Sequence, residues 1–137
     1  MSDCVLPQLI TDEGILTREE LFAEISPQLA EEIGVRTGEF LTLTTMRGIL
    51  EARALITERN QPLVIDGKTR HTIYLPYQFG YKGLVTGDVP NDLLSISEEP
   101  NVRIMETKAL VCNAHPGRVP KSAQALKIWK QDLRRTA

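Results

Sequence analysis

Residues 24–57, EISPQLAEEIGVRTGEFLTLTTMRGILEARALIT, decide the fold. Near their start, Ser26-Pro27 predicts a helix boundary. A serine hydroxyl can accept from the orphan amides of the first turn, and proline follows where no donor is missed. Leu29, Ala30 and Ile33 then recur on one face, and Gly34 suits the left-handed position that ends a helix. The helix is therefore short. Gly38-Glu39 turns into Phe40–Thr45, an alternating run with three threonines. Arg47-Gly48 turns into Ile49–Thr57, in which Leu50, Ala52, Ala54 and Ile56 alternate with Glu51, Arg53 and Leu55. Two such runs around a turn predict a β-hairpin. Just upstream, Leu21–Ile25 reads as another short strand.

Outward from this stretch the pattern stays that of short strands. His71–Leu75 reads as a strand closed by Pro76, and Glu106–Cys112 as a last one. Between them, residues 60–70 are polar, with Pro62 and an Asp66-Gly67 turn, interrupted by the apolar Leu63-Val64-Ile65. Residues 1–19, with Pro7, Gly14 and several acids, read as a loose N-terminal arm. After Pro116-Gly117 and Pro120, Ser122–Arg135 places Ala123, Leu126, Trp129 and Leu133 at helical spacing among basic residues. The expectation is a mainly β fold with short helices, closed into a small barrel. Phe22, Phe40, Leu43 and Ile56 are expected in its core.

The 137 residues suit one domain with a real core: 42% are hydrophobic and 25% charged. No apolar run approaches the roughly 18 residues that a membrane span needs. The first residues carry no basic and apolar leader pattern, so no direct membrane insertion or export signal is expected and the compartment stays open. A net charge of −2 argues against nucleic-acid binding. The charge is uneven. From His115 onward six basic residues meet one acid, which leaves −7 for residues 1–114, and the first 33 residues hold eight acids against Arg18. Cys4 and Cys112 cannot make a disulfide framework or a four-cysteine zinc site. His71 and His115 lack partners at ligand spacing and are expected to be structural or solvated. Cys112 is expected to be an inert thiol in a strand.

Chemistry, if present, is expected in the long irregular stretch from Pro76 to Pro100. Glycines 80, 83 and 87 let the backbone approach a ligand, Lys82 adds a cation, and Asn91 offers a donor and an acceptor. Asp88 or Asp92 could meet the paired N–H donors of a guanine edge. The spacing is neither GxxxxGK[ST] nor GxGxxG, so residue types alone favour a glycine-rich surface loop joining two strands.

A resemblance adds to this reading. Residues 24–57 resemble the start of the molybdopterin-dinucleotide-binding domain that closes the large subunits of molybdenum and tungsten oxidoreductases. Residues 71–118, HTIYLPYQFGYKGLVTGDVPNDLLSISEEPNVRIMETKALVCNAHPGR, are similar in particular to that domain in respiratory formate dehydrogenases. The resemblance implies a double-psi β-barrel over residues 20–118; the charge and helical spacing beyond it make 119–137 a basic C-terminal helix or tail. It implies a molybdopterin guanine dinucleotide cofactor, with molybdenum or tungsten held by the full enzyme. Asn91 and Lys108 match the family's cofactor-contacting asparagine and lysine. Pro76, Tyr77, Gln78, Phe79, Gly80 and Gly83 match the strand end and loop that lie against the pterin.

Two departures from the family pattern stand out. Gln78-Phe79-Gly80 replaces a frequent His-Trp-Gly, which removes a titratable group at position 78. Residues 1–19 do not resemble the strand and cofactor loop with which the family domain begins. The metal ligand, the catalytic histidine and arginine, and the iron–sulfur cysteines would lie in other domains, so this chain alone is not expected to oxidise formate. The implied partner is a catalytic chain or the remaining domains. The rival readings are a non-enzymatic double-psi barrel for protein binding and a barrel subunit of a related enzyme such as formylmethanofuran dehydrogenase.

Overall fold

A computed structural model describes residues 20–76, 87–105, 110–122, 124 and 127–131. The helix predicted behind Ser26 forms at Pro27–Ile33 (α1). Leu29 N donates to Ser26 Oγ at 3.2 Å, and Gly34 ends the helix at φ 72°, a conformation that suits glycine. Leu29 and Ala30 are its buried face. The hairpin also forms: β2 (Phe40–Thr44) pairs antiparallel with β3 (Ile49–Ile56), Leu43 opposite Leu50 and Leu41 opposite Ala52. Their shared apolar face carries the core, where Leu41, Leu43, Leu50 and Ala54 are fully buried with Ile25.

Around this hairpin, β1 (Phe22–Ile25), β6 (Ile73–Tyr74) and β7 (Asn113–Pro116) complete a five-stranded mixed sheet, which runs in the order β6-β1-β3-β2-β7 and curls as a half-barrel. β1 (Phe22–Ile25) runs parallel to β3, with Ala23 opposite Ala54. A parallel pair requires a crossover, and α1 with β2 supplies it. β6 is only Ile73–Tyr74, antiparallel to β1. Residues 63–70 form a hairpin of their own. β4 (Leu63–Ile65) and β5 (Lys68–Arg70) turn through Asp66 (φ 52°) and Gly67 (φ 71°), the paired positive φ values of a type I′ turn.

Two expectations need correction. Of the strand expected at 106–112, Leu110–Cys112 are not in a strand, while residues 106–109 lie outside the described residues. The strand here is β7, Asn113–Pro116, which pairs with the free edge of β2. Proline is tolerated at a sheet edge because no inner neighbour needs its missing N–H, so Pro116 ends the ladder without preventing it. Phe40 is also not core. Its ring is half-buried between the guanidiniums of Arg53 (3.8 Å) and Arg118 (4.1 Å), which are held by Glu20 and Glu51. Phe22 is buried, Leu43 lies in the core and Ile56 packs against it. Of the C-terminal helix, residues 124 and 127–131 are helical, and Trp129 meets His115 edge-on at 6.3 Å.

Candidate cofactor-facing cleft

The end of β2 carries three polar duties in one residue. Thr45 Oγ1 accepts from the amides of Arg47 and Gly48 (3.1 and 3.2 Å) and donates to the Leu93 carbonyl at 3.0 Å. It thereby closes the β2–β3 turn and fastens to it a 3-10 turn, Pro90–Leu93. The approach is so close that a Cβ at Gly48 would sit 2.5 Å from the Asp92 carbonyl oxygen. A second fastening lies upstream, where Asp88 Oδ2 accepts from Glu51 N at 2.7 Å. Asp88 is thus tied through one oxygen to the backbone of β3.

Pro90 and Leu93 are buried by this docking, while Asn91 and Asp92 are exposed. Between the turn and β6 opens a cleft of about 450 Å³. Leu43, Ile73, Leu75, Pro90, Leu93, Leu94 and Leu110 give it apolar walls, and Thr45, Thr72 and Cys112 supply polar points. Burial pushes the Cys112 thiol up, as expected for an inert cysteine. A pocket of this size with few polar groups suits a heterocycle, and Asn91 stands in the turn that forms one wall. Behind β6 lies a second hollow of about 420 Å³, lined by Phe22, Glu24, Arg59, Tyr74, Leu75 and Pro76. Its carboxylate, Glu24, is buried and paired twice by Arg59. Beneath it Asn60 is fully buried, donating to the Glu24 and Thr72 carbonyls (both 2.9 Å) and accepting from Thr72 Oγ1. Asn60 therefore sets where β6, and with it Leu75-Pro76, lies against β1.

No family model matches the chain. The alpha subunit of formate dehydrogenase 2 (cytochrome c-553) of Nitratidesulfovibrio vulgaris is 37% identical over 97 residues, 71% of this chain and 10% of that protein. The formate dehydrogenase alpha subunit of Megalodesulfovibrio gigas is 36% identical over 110 residues, covering 73% of this chain and 11% of that protein. The formate dehydrogenase-O major subunit of Escherichia coli K12 is 30% identical over 99 residues, 72% and 10% respectively. The chain carries a formate dehydrogenase large-subunit domain. It spans about a tenth of the length of the curated relatives it matches.

Within this formate dehydrogenase domain, two of the eight expected site residues are described: Pro76, at the close of β6, and Asn91, on the fastened turn. They stand beside different hollows that share Tyr74 and Leu75. Tyr77, Gln78, Phe79, Gly80, Gly83 and Lys108 lie outside the described residues, as do Lys82 and Cys4. The sequence reading missed Thr45, Gly48 and Asn60. Thr45 three residues before Gly48 could have been read as a threonine turn; nothing local marks Asn60 as buried. His71 precedes β6, with Nε2 3.0 Å from Glu32 Oε2 of α1. His115 lies on β7 with Nε2 3.4 Å from Thr44 Oγ1, and burial holds its pKa below the ordinary value. Among the described residues no helix is long and apolar enough to cross a membrane, and no three His, Cys, Asp or Glu gather as a metal site.

Proposed function

We propose that this chain supplies the molybdopterin guanine dinucleotide-binding domain of a formate dehydrogenase-like molybdenum or tungsten oxidoreductase. Residues 20–118 form the double-psi barrel of that domain, the arm 1–19 precedes it, and the basic segment 119–137 contacts the catalytic chain or the remaining domains. The observation that carries the reading is the run of formate dehydrogenase relatives over about 70% of the chain. Asn91, the polar donor among the described site residues, suits the dinucleotide. Asn91 presents an exposed carboxamide on a turn fixed by Thr45 and by the close packing at Gly48. An apolar cleft beside it suits a flat ring system.

In this reading Asn91 and Lys108 hold the dinucleotide, Lys108 as a cation toward phosphate or a pterin carbonyl. Pro76, Tyr77, Gln78, Phe79, Gly80 and Gly83 lie against the pterin and exclude water. The bound metal–pterin group supplies the two-electron oxidation of formate to carbon dioxide. This chain's residues bind, orient and shield it. The test is Asn91→Ala with Lys108→Ala in the assembled enzyme, read by pterin and metal content per protein. The expected result is a loss of cofactor with the assembly intact. Full cofactor content in the double variant would contradict the assignment of both residues and favour a barrel used only for protein binding.

A further inference from the structure

The β4–β5 hairpin stands apart from the rest of the molecule. Every residue from Leu63 to Arg70 is exposed, and its two strands form a sheet separate from the main one. An isolated two-stranded hairpin is marginal in water, and here its apolar strand keeps half or more of its surface exposed. Leu63, Val64 and Ile65 keep 51%, 74% and 51% of their surface. The register decides what each face offers. Leu63 stands opposite Arg70 and Ile65 opposite Lys68, while Val64 stands opposite Thr69. One face is therefore an apolar pair edged by two cations.

We infer that this hairpin is the arm by which the chain docks onto the rest of the formate dehydrogenase large subunit, on an apolar patch rimmed by carboxylates. The inference rests on the function proposed above. Its occupant is argued from three observations: the matched relatives are about ten times longer than the stretch they share with this chain; the strand keeps half or more of its surface exposed; and the two cations at its edge complement an acidic rim. Consecutive exposed apolar residues on a projecting strand mark an interaction site, and a cationic border sets orientation and the rate of encounter.

The experiment isolates the enzyme that contains this chain and compares hydrogen exchange at 63–70 in that enzyme and in the chain alone. Leu63→Asp with Ile65→Asp is carried in parallel. Because these residues lie outside the buried core cluster, the variant's melting temperature should stay close to the parent's. The docking arm predicts at least roughly tenfold slower exchange in the enzyme, and a comparable drop in recovery of the double variant with its large-subunit partner. Equal exchange and unchanged recovery would overturn the docking arm while leaving the proposed function standing. If no large-subunit sequence accompanies the chain by mass spectrometry, both fail. Protection that appears in the chain alone with rising concentration, alongside sedimentation as a dimer, would overturn it in favour of a second copy.

Discussion

At the scale of single residues, the account turns on small groups placed where larger or apolar ones would fail. Gly48 lets the Asn91 turn rest on the β2–β3 hairpin, because a methyl group there meets the Asp92 carbonyl oxygen at 2.5 Å. Gly48→Ala should therefore cost about 1–3 kcal/mol, the usual range for overpacking, and displace the turn. Urea denaturation and amide shifts of residues 88–94 would check both. Asn60 is polar yet fully buried because two carbonyls and a hydroxyl need it. Asn60→Ala should cost about 3 kcal/mol by stranding those buried groups, and a loss below about 1 kcal/mol would refute that role. At His115 burial disfavours the charged ring, so its folded pKa lies below the unfolded value of about 6.5. The unfolded chain then binds the proton more readily. The neutral ring's contribution is complete above about pH 6.5 and is lost as pH falls through the folded value. An NMR titration should place the His115 midpoint below that of a free histidine, and His115→Asn should flatten the stability profile there.

At the scale of elements, what the sequence made legible was what local chemistry dictates. The Ser26 cap, Pro27 and Gly34 bounded α1, and strict alternation from Leu50 to Ala54 set the face of β3. The parallel pairing of β1 with β3 was not legible, since it depends on where the crossover returns the chain. The edge strand β7 was misplaced because a half-exposed strand gives little alternation and Pro116 looks like a terminator. Phe40 reads as core by type, and only the folded chain brings Arg53 and Arg118 to its two faces. Of the candidate site, the sequence singled out Asn91, which the fold leaves exposed on the docked turn, but not the threonine and glycine that fix that turn. The turn at residues 99–103 makes a prediction at this scale. Glu99 accepts from the amides of Val102 and Asn101 (2.7 and 2.9 Å), and these bonds hold its carboxyl below the usual range. Their contribution is present above about pH 4.3, the unfolded value, and is lost as pH falls through the lower folded one. The protection factor of the Val102 amide should fall below that point, and Glu99→Gln should show the lower protection at neutral pH.

At the scale of the whole molecule, the proposed function reads the half-barrel sheet, the exposed hairpin and the asparagine beside an apolar cleft as a part of a larger machine. In its relatives the matching tenth of the length lies within formate dehydrogenase alpha or major subunits. The central claim is that this part holds the pterin dinucleotide there. The most direct measurement is isolation of the tagged chain from its native host, with metal and pterin analysis of the eluate and formate-dependent dye reduction. The account predicts a large-subunit partner, molybdenum or tungsten with pterin in fixed proportion to the chain, and dye reduction by formate. A metal-free, pterin-free preparation, or a partner indifferent to formate, would contradict it.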